Sequence, residues 1–288
     1  MKIAITGSSG YLGKLISKEL SENGHSISEI ERQVLYGDIE ILKQKISRAD
    51  IIINLAGAPI FQRWTKRNKQ IIFDSRVTTT QNLIAAINKL PAEQHPKKFI
   101  SASAIGIYKS GLLHDETSIN FDEGSVGNVV RNWETPLNNL PEHIQKIVFR
   151  IGLGLGKNSL TIKKMKFPFK LGLGAVIGNG KQPFPFIHEK DAARAFLWAV
   201  NSFQGNEIFN LTAPEQINNK DFTKKYAKIL HRPAILSIPG FMLKMIFGKA
   251  SVLLTESPQV NSEKIRENGF IFNYSTLESA LNEIIRKK

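Results

Sequence analysis

Cysteine is absent from the 288 residues. Without thiols the chain can form neither disulfides nor thiolate metal sites, and its six histidines lack the paired helical spacing that would indicate zinc. We therefore expect no metal site and a reducing, cytoplasmic location.

Long apolar runs are also missing. The most apolar late segment, FMLKMIFGKASVLL, contains Lys244 and Lys249 and is shorter than the roughly 20 residues that a membrane-spanning helix needs. We interpret it as a buried or groove-lining helix and expect no membrane contact. The N-terminus enters a strand pattern directly, with no basic region and apolar stretch before it, so we also expect no secretory signal.

Acidic residues are few: 25 Asp and Glu face 39 Lys and Arg, which gives a net charge of +14. Such a balance attracts polyanions. The lysines are nevertheless dispersed, and the two clusters, IKKMKFPFK and the C-terminal RKK, do not alternate with exposed aromatic residues as nucleic-acid platforms do. Nucleic-acid binding is therefore disfavoured, and a solvated basic surface or a field that steers an anionic ligand is the preferred interpretation.

Apolar runs alternate with helical patterns through the first half of the chain. Strands are predicted at KIAIT, HSISEIE, DIIINLAG, KKFISASA and KIVFRIGL, with helices between them that include a long one from about Asp74 to Leu90 and another near NVVRNWETPLNNL. This alternation predicts an α/β, Rossmann-type doubly wound parallel sheet. We predict a nucleotide-binding domain from residues 1–155 with 186–212, and a smaller, mixed substrate-side domain from 156–185 with 213–288.

A glycine-rich loop follows the first strand. Gly7, Gly10 and Gly13 form G-x-x-G-x-x-G between a strand and a helix, where glycines allow a tight turn, backbone approach to a pyrophosphate and close helix packing. The predicted dinucleotide contacts are Gly7, Ser9, Gly10, Tyr11, Leu12 and Gly13, with Leu55, Ala56 and Gly57 after a later strand, and Ser101 and Arg150 on strands beyond it.

The end of the second strand carries Glu31 and Arg32 together. An arginine there accepts the 2′-phosphate of NADP, whereas an acidic residue bonds the 2′-hydroxyl of NAD and would repel that phosphate. NADP(H) is favoured, and NAD(H) stays open. Asp38 is a candidate contact on the adenine side or a structural turn residue.

Several further motifs carry a family resemblance: NLAGAPI, RWT, DSRVTTT, SASAIGIY and FIHEKDAARA, with NLTAPEQINNKDF, HRP and NGFIFNYSTLESAL in the tail. With the glycine loop, they make nearly the whole chain resemble the atypical extended short-chain dehydrogenases/reductases. More narrowly, it resembles the NAD(P)-dependent epimerase-family, or nucleoside-diphosphate-sugar epimerase-like, group with its C-terminal tail domain.

The resemblance implies a catalytic serine, tyrosine and lysine. Ser103 falls at the place of the serine, but Val126 and Val130 stand where the tyrosine and lysine are expected. Valine cannot transfer a proton, so the usual mechanism does not carry over. Tyr108, in the loop after Ser103, is the candidate for a relocated acid/base, and its alternative role is packing under that loop.

Substrate contacts are predicted outside the glycine loop. Arg76 and Trp64, in the RWT…SR stretch with Arg63 and Arg67, suggest an anionic substrate held by guanidinium groups against an indole; the alternative is a structural network in which Arg76 pairs with Asp74 or Glu134. Lys181 is a candidate anion contact. His188 and Asp191 are expected to be structural at the start of a helix.

Two functions follow from these residues. One is an epimerase/dehydratase-like or reductase-like enzyme acting on a small, anionic or sugar-nucleotide substrate. The other is a non-catalytic NADP(H)-binding sensor or interaction module, which Val126 and Val130 favour. A homodimer stays an open alternative.

Overall fold

Strands rich in isoleucine, valine and phenylalanine form the centre of the molecule. The computed structural model describes residues 1–285, so the C-terminal RKK cluster lies outside the described residues. The strands are β1 Lys2–Thr6, β2 Ser26–Ile30, β3 Ile51–Asn54, β4 Lys98–Ala104, β5 Leu113–His114, β6 Gln145–Ile151, β7 Leu153–Leu155, β8 Ala175–Ile177, β9 Phe186–His188, β10 Glu207–Leu211, β11 Leu236–Ile238 and β12 Gln259–Val260.

Six of these strands build one parallel sheet in the order β2, β1, β3, β4, β6, β10. β2 pairs with one edge of β1 and β3 pairs with the other, so the strand order reverses direction between β1 and β3. In such sheets ligands bind in the crevice outside the carboxyl ends of the strands at that reversal. The predicted α/β, Rossmann-type doubly wound fold is confirmed.

Helices cover both faces of the sheet. They are α1 Tyr11–Glu22, α2 Arg32–Tyr36, α3 Ile39–Ile46, α4 Lys66–Asp74, α5 Val77–Asn88, α6 Ser125–Glu134, α7 Leu160–Lys170, α8 Glu189–Asn201, α9 Asn219–Ile229, α10 Gly240–Phe247, α11 Val252–Thr255, α12 Glu263–Glu267 and α13 Leu277–Ile285. Alternate residues of each strand point to opposite faces: Ile3 and Ile5 pack with α1 and α8, whereas Ala4 packs with α3 and α5.

The helix predicted from about Asp74 to Leu90 is α5, which spans Val77–Asn88, and a break at Ser75 and Arg76 separates it from α4. The Ser75 hydroxyl accepts a hydrogen bond from the Ala58 backbone N–H at 2.8 Å. Arg76 departs from helical geometry at φ −115° and ψ −57°. The break therefore ties this connection to the loop after β3, a tertiary contact that helical periodicity does not reveal.

The helix predicted near NVVRNWETPLNNL is shorter and starts earlier than expected. It spans Ser125–Glu134, and a 3₁₀ turn follows over Thr135–Asn139. Pro136 stands in that turn, where a residue without a backbone N–H cannot continue an α-helix.

A further hydrophobic cluster lies beyond the large sheet. It joins Leu155 and Phe186 to Phe222 of α9 and Leu281 of α13. The same cluster thus draws on segments from both predicted domains, and the domain boundaries stay a prediction.

The segment FMLKMIFGKASVLL is not the buried helix that its sequence indicates. Its first part is α10, in which Leu243 alone is buried while Phe241, Met242, Met245 and Ile246 are exposed. Among residues 1–285, no helix combines the length and apolar character that crossing a bilayer requires. An unburied apolar helix is a feature that only packing reveals.

Two polar side chains begin α8. His188 accepts a hydrogen bond from the Lys190 backbone N–H and its ring lies 3.9 Å from that of Tyr274, centroid to centroid. Asp191 is fully buried and accepts from the backbone N–H groups of Asn273, at 3.0 Å, and Tyr274, at 2.8 Å. Both side chains therefore connect α8 to the C-terminal tail.

Burial, with the nearby Lys190 charge, lowers the pKa of His188 from 6.5 to about 4. The unfolded chain thus binds a proton below pH 6.5 that the folded chain takes up only near pH 4. The stabilising contribution is present above pH 6.5 and is lost as pH falls, with a limit of about 3 kcal/mol. We expect His188→Asn, which keeps a capping side chain, to flatten the pH dependence of urea unfolding between pH 6.5 and 4.

His231→Asn is the matched control for that experiment. His231 is exposed, and its φ of 53° suits asparagine. An equal flattening by both substitutions would contradict the role of His188.

Candidate active site

The glycine loop connects β1 to α1 at the carboxyl edge of the sheet. Gly7 has φ 69°, and a β-carbon there would lie 2.7 Å from the Leu55 carbonyl oxygen. A β-carbon at Gly13 would overlap the Gly7 carbonyl. Gly10 differs, because it is exposed and its β-carbon would meet only the Gly7 oxygen, at 3.1 Å. Gly7 and Gly13 are thus needed to form the loop, whereas Gly10 leaves its outer face open.

Backbone N–H groups converge on this open face. Ser9 is exposed, and α1 begins at Tyr11 with Gly10 as its N-cap, so the N–H groups of Tyr11 and Leu12 have no partner within the helix. A helix N-terminus with free N–H groups attracts anions. The arrangement fits a pyrophosphate.

Thr6 fixes the neighbouring loop after β3. Its hydroxyl accepts hydrogen bonds from the backbone N–H groups of Leu55, at 3.0 Å, and Ala56, at 3.1 Å, and donates to Asn54. Residues Leu55 to Gly57 are thereby held beside the glycine loop, as their predicted role requires.

Ser101 does not reach the surface of the site. It is fully buried, and its hydroxyl donates to the Ala102 carbonyl and lies 3.4 Å from the Asn54 amide nitrogen. Ser101 therefore supports Asn54 beneath the site, and its contact with a cofactor stays a prediction.

The side chain of Tyr11 is also engaged by the protein. Its hydroxyl donates to the Glu189 carboxylate, and burial together with that bond raises the pKa of the Tyr11 phenol. The phenol therefore joins α1 to α8, which leaves the backbone N–H of Tyr11 for a ligand.

The Glu31–Arg32 pair separates in space. The Glu31 carboxylate lies 3.6 Å from the Lys45 ammonium, whereas the Arg32 guanidinium lies 5.6 Å from the Tyr36 ring centroid. Within residues 1–285, Arg32 forms no ion pair. Asp38 is the N-cap of α3 and accepts from the Glu40 N–H at 2.9 Å, which matches its structural alternative.

A buried polar network replaces the expected catalytic group. The Ser103 hydroxyl donates to the Glu134 carboxylate, which also accepts two hydrogen bonds from Arg150, at 2.9 and 2.7 Å. Arg150 donates further to the Tyr108 hydroxyl at 2.7 Å, and Tyr108 donates to Asn210 at 2.8 Å. The chain of bonds runs across the carboxyl ends of β4, β6 and β10.

The ion pair with Glu134 keeps the buried Arg150 guanidinium protonated. Burial by itself lowers the pKa of the guanidinium, but the hydrogen-bonded Glu134 carboxylate raises it above the ordinary value. Arg150 is 4% exposed and has its donors committed to Glu134 and Tyr108. Pairing with Glu134 is therefore the structural role of Arg150, and its contact with a cofactor stays a prediction.

Tyr108 is not placed to transfer a proton to a ligand. It is 1% exposed, stacks on His114 at 4.8 Å between ring centroids, and has its hydroxyl bonded to Arg150 and Asn210. Burial raises the pKa of the phenol. These contacts agree with the packing alternative for Tyr108, and its catalytic role stays a prediction.

The two valines lie on α6 as the resemblance implies. Val130 is buried among Ile105, Ile107 and Val260, so an apolar cluster occupies the place of the expected lysine. Glu134 follows Val130 by one helical turn on the same face. The acidic residue therefore stands next to the position that the family uses for chemistry.

Arg76 lies under Gly57 without an acidic partner. A β-carbon at Gly57 would lie 3.0 Å from its guanidinium carbon, and the guanidinium lies 5.2 Å from the Trp133 ring centroid. The guanidinium donates to the Ile72 carbonyl at 3.2 Å, and no aspartate or glutamate among the described residues forms an ion pair with it. Burial lowers the pKa of Arg76 to about 10. The alternative pairing with Asp74 or Glu134 is wrong.

Trp64 and Lys181 lie apart from this cation. The Trp64 indole N–H donates to the Ile60 carbonyl at 2.9 Å and its ring faces Lys69, so Trp133 supplies the indole beside Arg76. Lys181 is exposed in the turn between β8 and β9. Arg63 and Arg67 are exposed as well.

Sequence reasoning named Glu134 as a possible partner of Arg76, but it did not predict that Glu134 contacts Ser103 and Arg150 or that Trp133 lies beside Arg76. Their only signal was spacing: Glu134 lies four residues after Val130, and Trp133 precedes it at the buried side of α6. The amphipathic pattern identifies the helix, but the partners of these residues come from β4, β6 and the break before α5.

Comparisons with known proteins agree with this geometry. A model of the NAD dependent epimerase/dehydratase family matches residues 3–124, and one for a domain of unknown function, DUF1731, matches residues 238–284. Epimerase family protein YfhF of Bacillus subtilis is 32% identical over 99% of this chain and 98% of its own length. The chain belongs to this epimerase family.

Other family members cover the same length. The human epimerase family protein SDR39U1 is 29% identical over 99% of this chain. The crystal structure of human SDR39U1 (isoform 2) with NADPH matches with a TM-score of 0.91 over 99% of both chains. UDP-N-acetylglucosamine 4-epimerase from Bacillus cereus, at 19% identity and a TM-score of 0.77, shares the fold. The resemblance read from the motifs is confirmed.

Proposed function

We propose that this epimerase-family chain binds NADPH and catalyses hydride transfer on a small anionic substrate. The observation that carries the proposal is the open face at Gly10, where the free N–H groups at the start of α1 meet the loop after β3. The NADPH in the human structure supports the choice of cofactor.

The residues present fit a dinucleotide with a 2′-phosphate. Tyr11 and Leu12 would hold the pyrophosphate with their backbone N–H groups, whereas the Gly10 N–H donates to the Gly7 carbonyl at 3.0 Å and Gly10 lets the pyrophosphate approach. Arg32, free of any carboxylate at the end of β2, would hold the 2′-phosphate, since Glu31 turns to Lys45. NADP(H) is therefore favoured over NAD(H).

Ser103 and Glu134 supply the acid–base chemistry in this proposal. A bound nicotinamide supplies the hydride acceptor or donor. Ser103, which is 4% exposed like Arg150, would accept the proton of a substrate hydroxyl that reaches it while its own proton passes to the Glu134 carboxylate, which its hydroxyl already contacts. In the reverse direction the same protons return. Arg150 orients the carboxylate through its paired hydrogen bonds.

Arg76 defines the substrate class. The Arg76 guanidinium is half-buried at the carboxyl edge of β3 and has no acidic partner. It therefore attracts an anionic group of a ligand, which would form the ion pair that no protein carboxylate forms. We propose that the substrate carries a carboxylate or phosphate that binds Arg76 beside Trp133.

The absence of cysteine supports a cytoplasmic location.

The test is a fluorescence titration with NADPH and NADH, then incubation with a panel of carbonyl compounds. We expect Arg32→Ala to weaken NADPH by roughly tenfold or more and NADH little, since one charge-assisted contact is lost. Arg48→Ala, at the opposite edge of the sheet beside Lys2, is the control. We expect Ser103→Ala to abolish NADPH oxidation and keep NADPH affinity.

A non-catalytic sensor is the second candidate function, and Val126 and Val130 favour it. Tight NADPH binding with no oxidation of the cofactor by any carbonyl would support this alternative. Failure of the chain to bind either nucleotide would overturn both functions.

A further inference from the structure

Exposed apolar side chains are concentrated on α7, α10 and the strands between them. Phe167, Ile235, Phe241 and Met245 have 70%, 87%, 67% and 74% of their surface exposed. Leu171 and Leu173, in the turn after α7, are exposed as well. We call these six residues the α7–α10 surface.

Strand pairing and one aromatic residue hold this surface together. β8 pairs with β11, with Ala175 opposite Leu236, so the turn after α7 lies beside the chain that leads into α10. At the other end, the Phe61 ring lies 5.4 Å from that of Phe247 and 4.2 Å from the Lys164 ammonium. The helices thus flank the loop that follows β3.

Positive charge surrounds the exposed apolar groups. Residues 157–188 and 222–255 contain no aspartate or glutamate. The lysines of α7, of α10 and of the turn after α10 are exposed, namely Lys163, Lys164, Lys166, Lys170, Lys244 and Lys249. Two segments that carry exposed apolar side chains and lysines, with no acidic residue within them, match an anionic, amphiphilic partner.

We propose that the α7–α10 surface binds the surface of an anionic phospholipid bilayer. The apolar side chains enter the boundary between headgroups and acyl chains, and the lysines contact lipid phosphates. No helix spans the membrane in this arrangement. The proposal depends on the α7–α10 surface and is independent of cofactor binding. A second copy fits poorly, because a two-fold contact would place these lysines against themselves.

Vesicle flotation with the full-length protein tests the proposal. Vesicles of phosphatidylglycerol mixed with phosphatidylcholine are compared with vesicles of phosphatidylcholine alone. We expect binding to the anionic vesicles at least roughly tenfold stronger, falling as salt is raised, because screening weakens exposed charge contacts.

Matched variants separate the apolar and the charged contributions. Phe241→Gln with Met245→Gln removes apolar groups, and Ile119→Gln with Ile271→Gln, at 82% and 73% exposed sites elsewhere, is the control. Lys163→Gln with Lys166→Gln removes charge, and Lys18→Gln with Lys97→Gln, also exposed, controls for net charge. Both surface variants should lose vesicle binding by roughly tenfold while both controls keep it.

Several results would overturn the proposal. These are no binding to anionic vesicles, equal binding to neutral vesicles, or equal losses in the control variants. A dimer in sedimentation that Phe241→Gln with Met245→Gln dissociates, without vesicle binding by the parent, would assign the surface to a second copy. Vesicle binding that is insensitive to salt would also contradict the role of the lysines.

Discussion

Gly10→Val is expected to lower NADPH affinity by on the order of 100-fold or more while the chain stays folded. Gly10 has extended backbone geometry, φ −70° and ψ 171°, which valine adopts readily. Its side chain would point into the open face where the pyrophosphate approaches. Fluorescence titration measures the affinity, and urea unfolding should give a free energy within about 1 kcal/mol of the parent.

Two glycines serve as comparisons for Gly10→Val. Gly240→Val places the same side chain at a half-buried position outside the loop, where its β-carbon would meet only Thr255 at 3.7 Å, and should bind NADPH like the parent. Gly13→Ala should destabilise the loop itself, because its β-carbon overlaps the Gly7 carbonyl. Undiminished NADPH binding by Gly10→Val would refute the assignment of the pyrophosphate site.

Removal of the Glu134 carboxylate has the second large expected effect. Glu134→Ala leaves the Arg150 guanidinium buried without its partner, and such a loss destabilises a protein by about 3–5 kcal/mol. Arg150 is 4% exposed, so little water reaches the unpaired charge. Urea unfolding of the single variant and the parent measures this difference in the free energy of unfolding.

A double substitution distinguishes an unpaired charge from a cavity. Glu134→Ala with Arg150→Met removes both charges and should recover a large part of the lost stability, because the uncompensated charge is gone. Glu142→Ala, at an exposed carboxylate, should change stability by less than about 0.5 kcal/mol. A double variant no more stable than Glu134→Ala would contradict this account.

Ser103 and Glu134 contact each other beside the part of α6 where valines occupy the two positions expected to be catalytic. Val126 and Val130 remove the usual proton donor and its cationic partner, yet Glu134 lies one turn further on the same helix face. Its carboxylate contacts Ser103, the one residue of the expected group that remains. In the proposed mechanism, Ser103 and Glu134 thus form a proton path with a different donor set.

Local patterns predicted the parts of the site that the backbone forms. The glycine spacing sets the turn at Gly7 and the helix start at Tyr11, because φ above zero and close approach restrict the residue at each position. Side-chain partners were not predictable in the same way. Tyr108, Ser101 and Arg150 looked available in the sequence, whereas burial and long-range hydrogen bonds commit all three to the protein.

The sequence by itself determined the parallel α/β sheet and the glycine loop, because periodicity and backbone constraints act between near neighbours. The family was identified from the resemblance of its motifs, which also implies that Val126 and Val130 replace the usual tyrosine and lysine. Tertiary structure alone decided the break before Arg76, the pairing of Glu134 with Ser103 and Arg150, and the exposure of α10. Those features depend on contacts between residues far apart in the chain. The neighbours of a residue in sequence do not determine whether its charge is paired with an opposite charge or whether its apolar surface is packed against other residues.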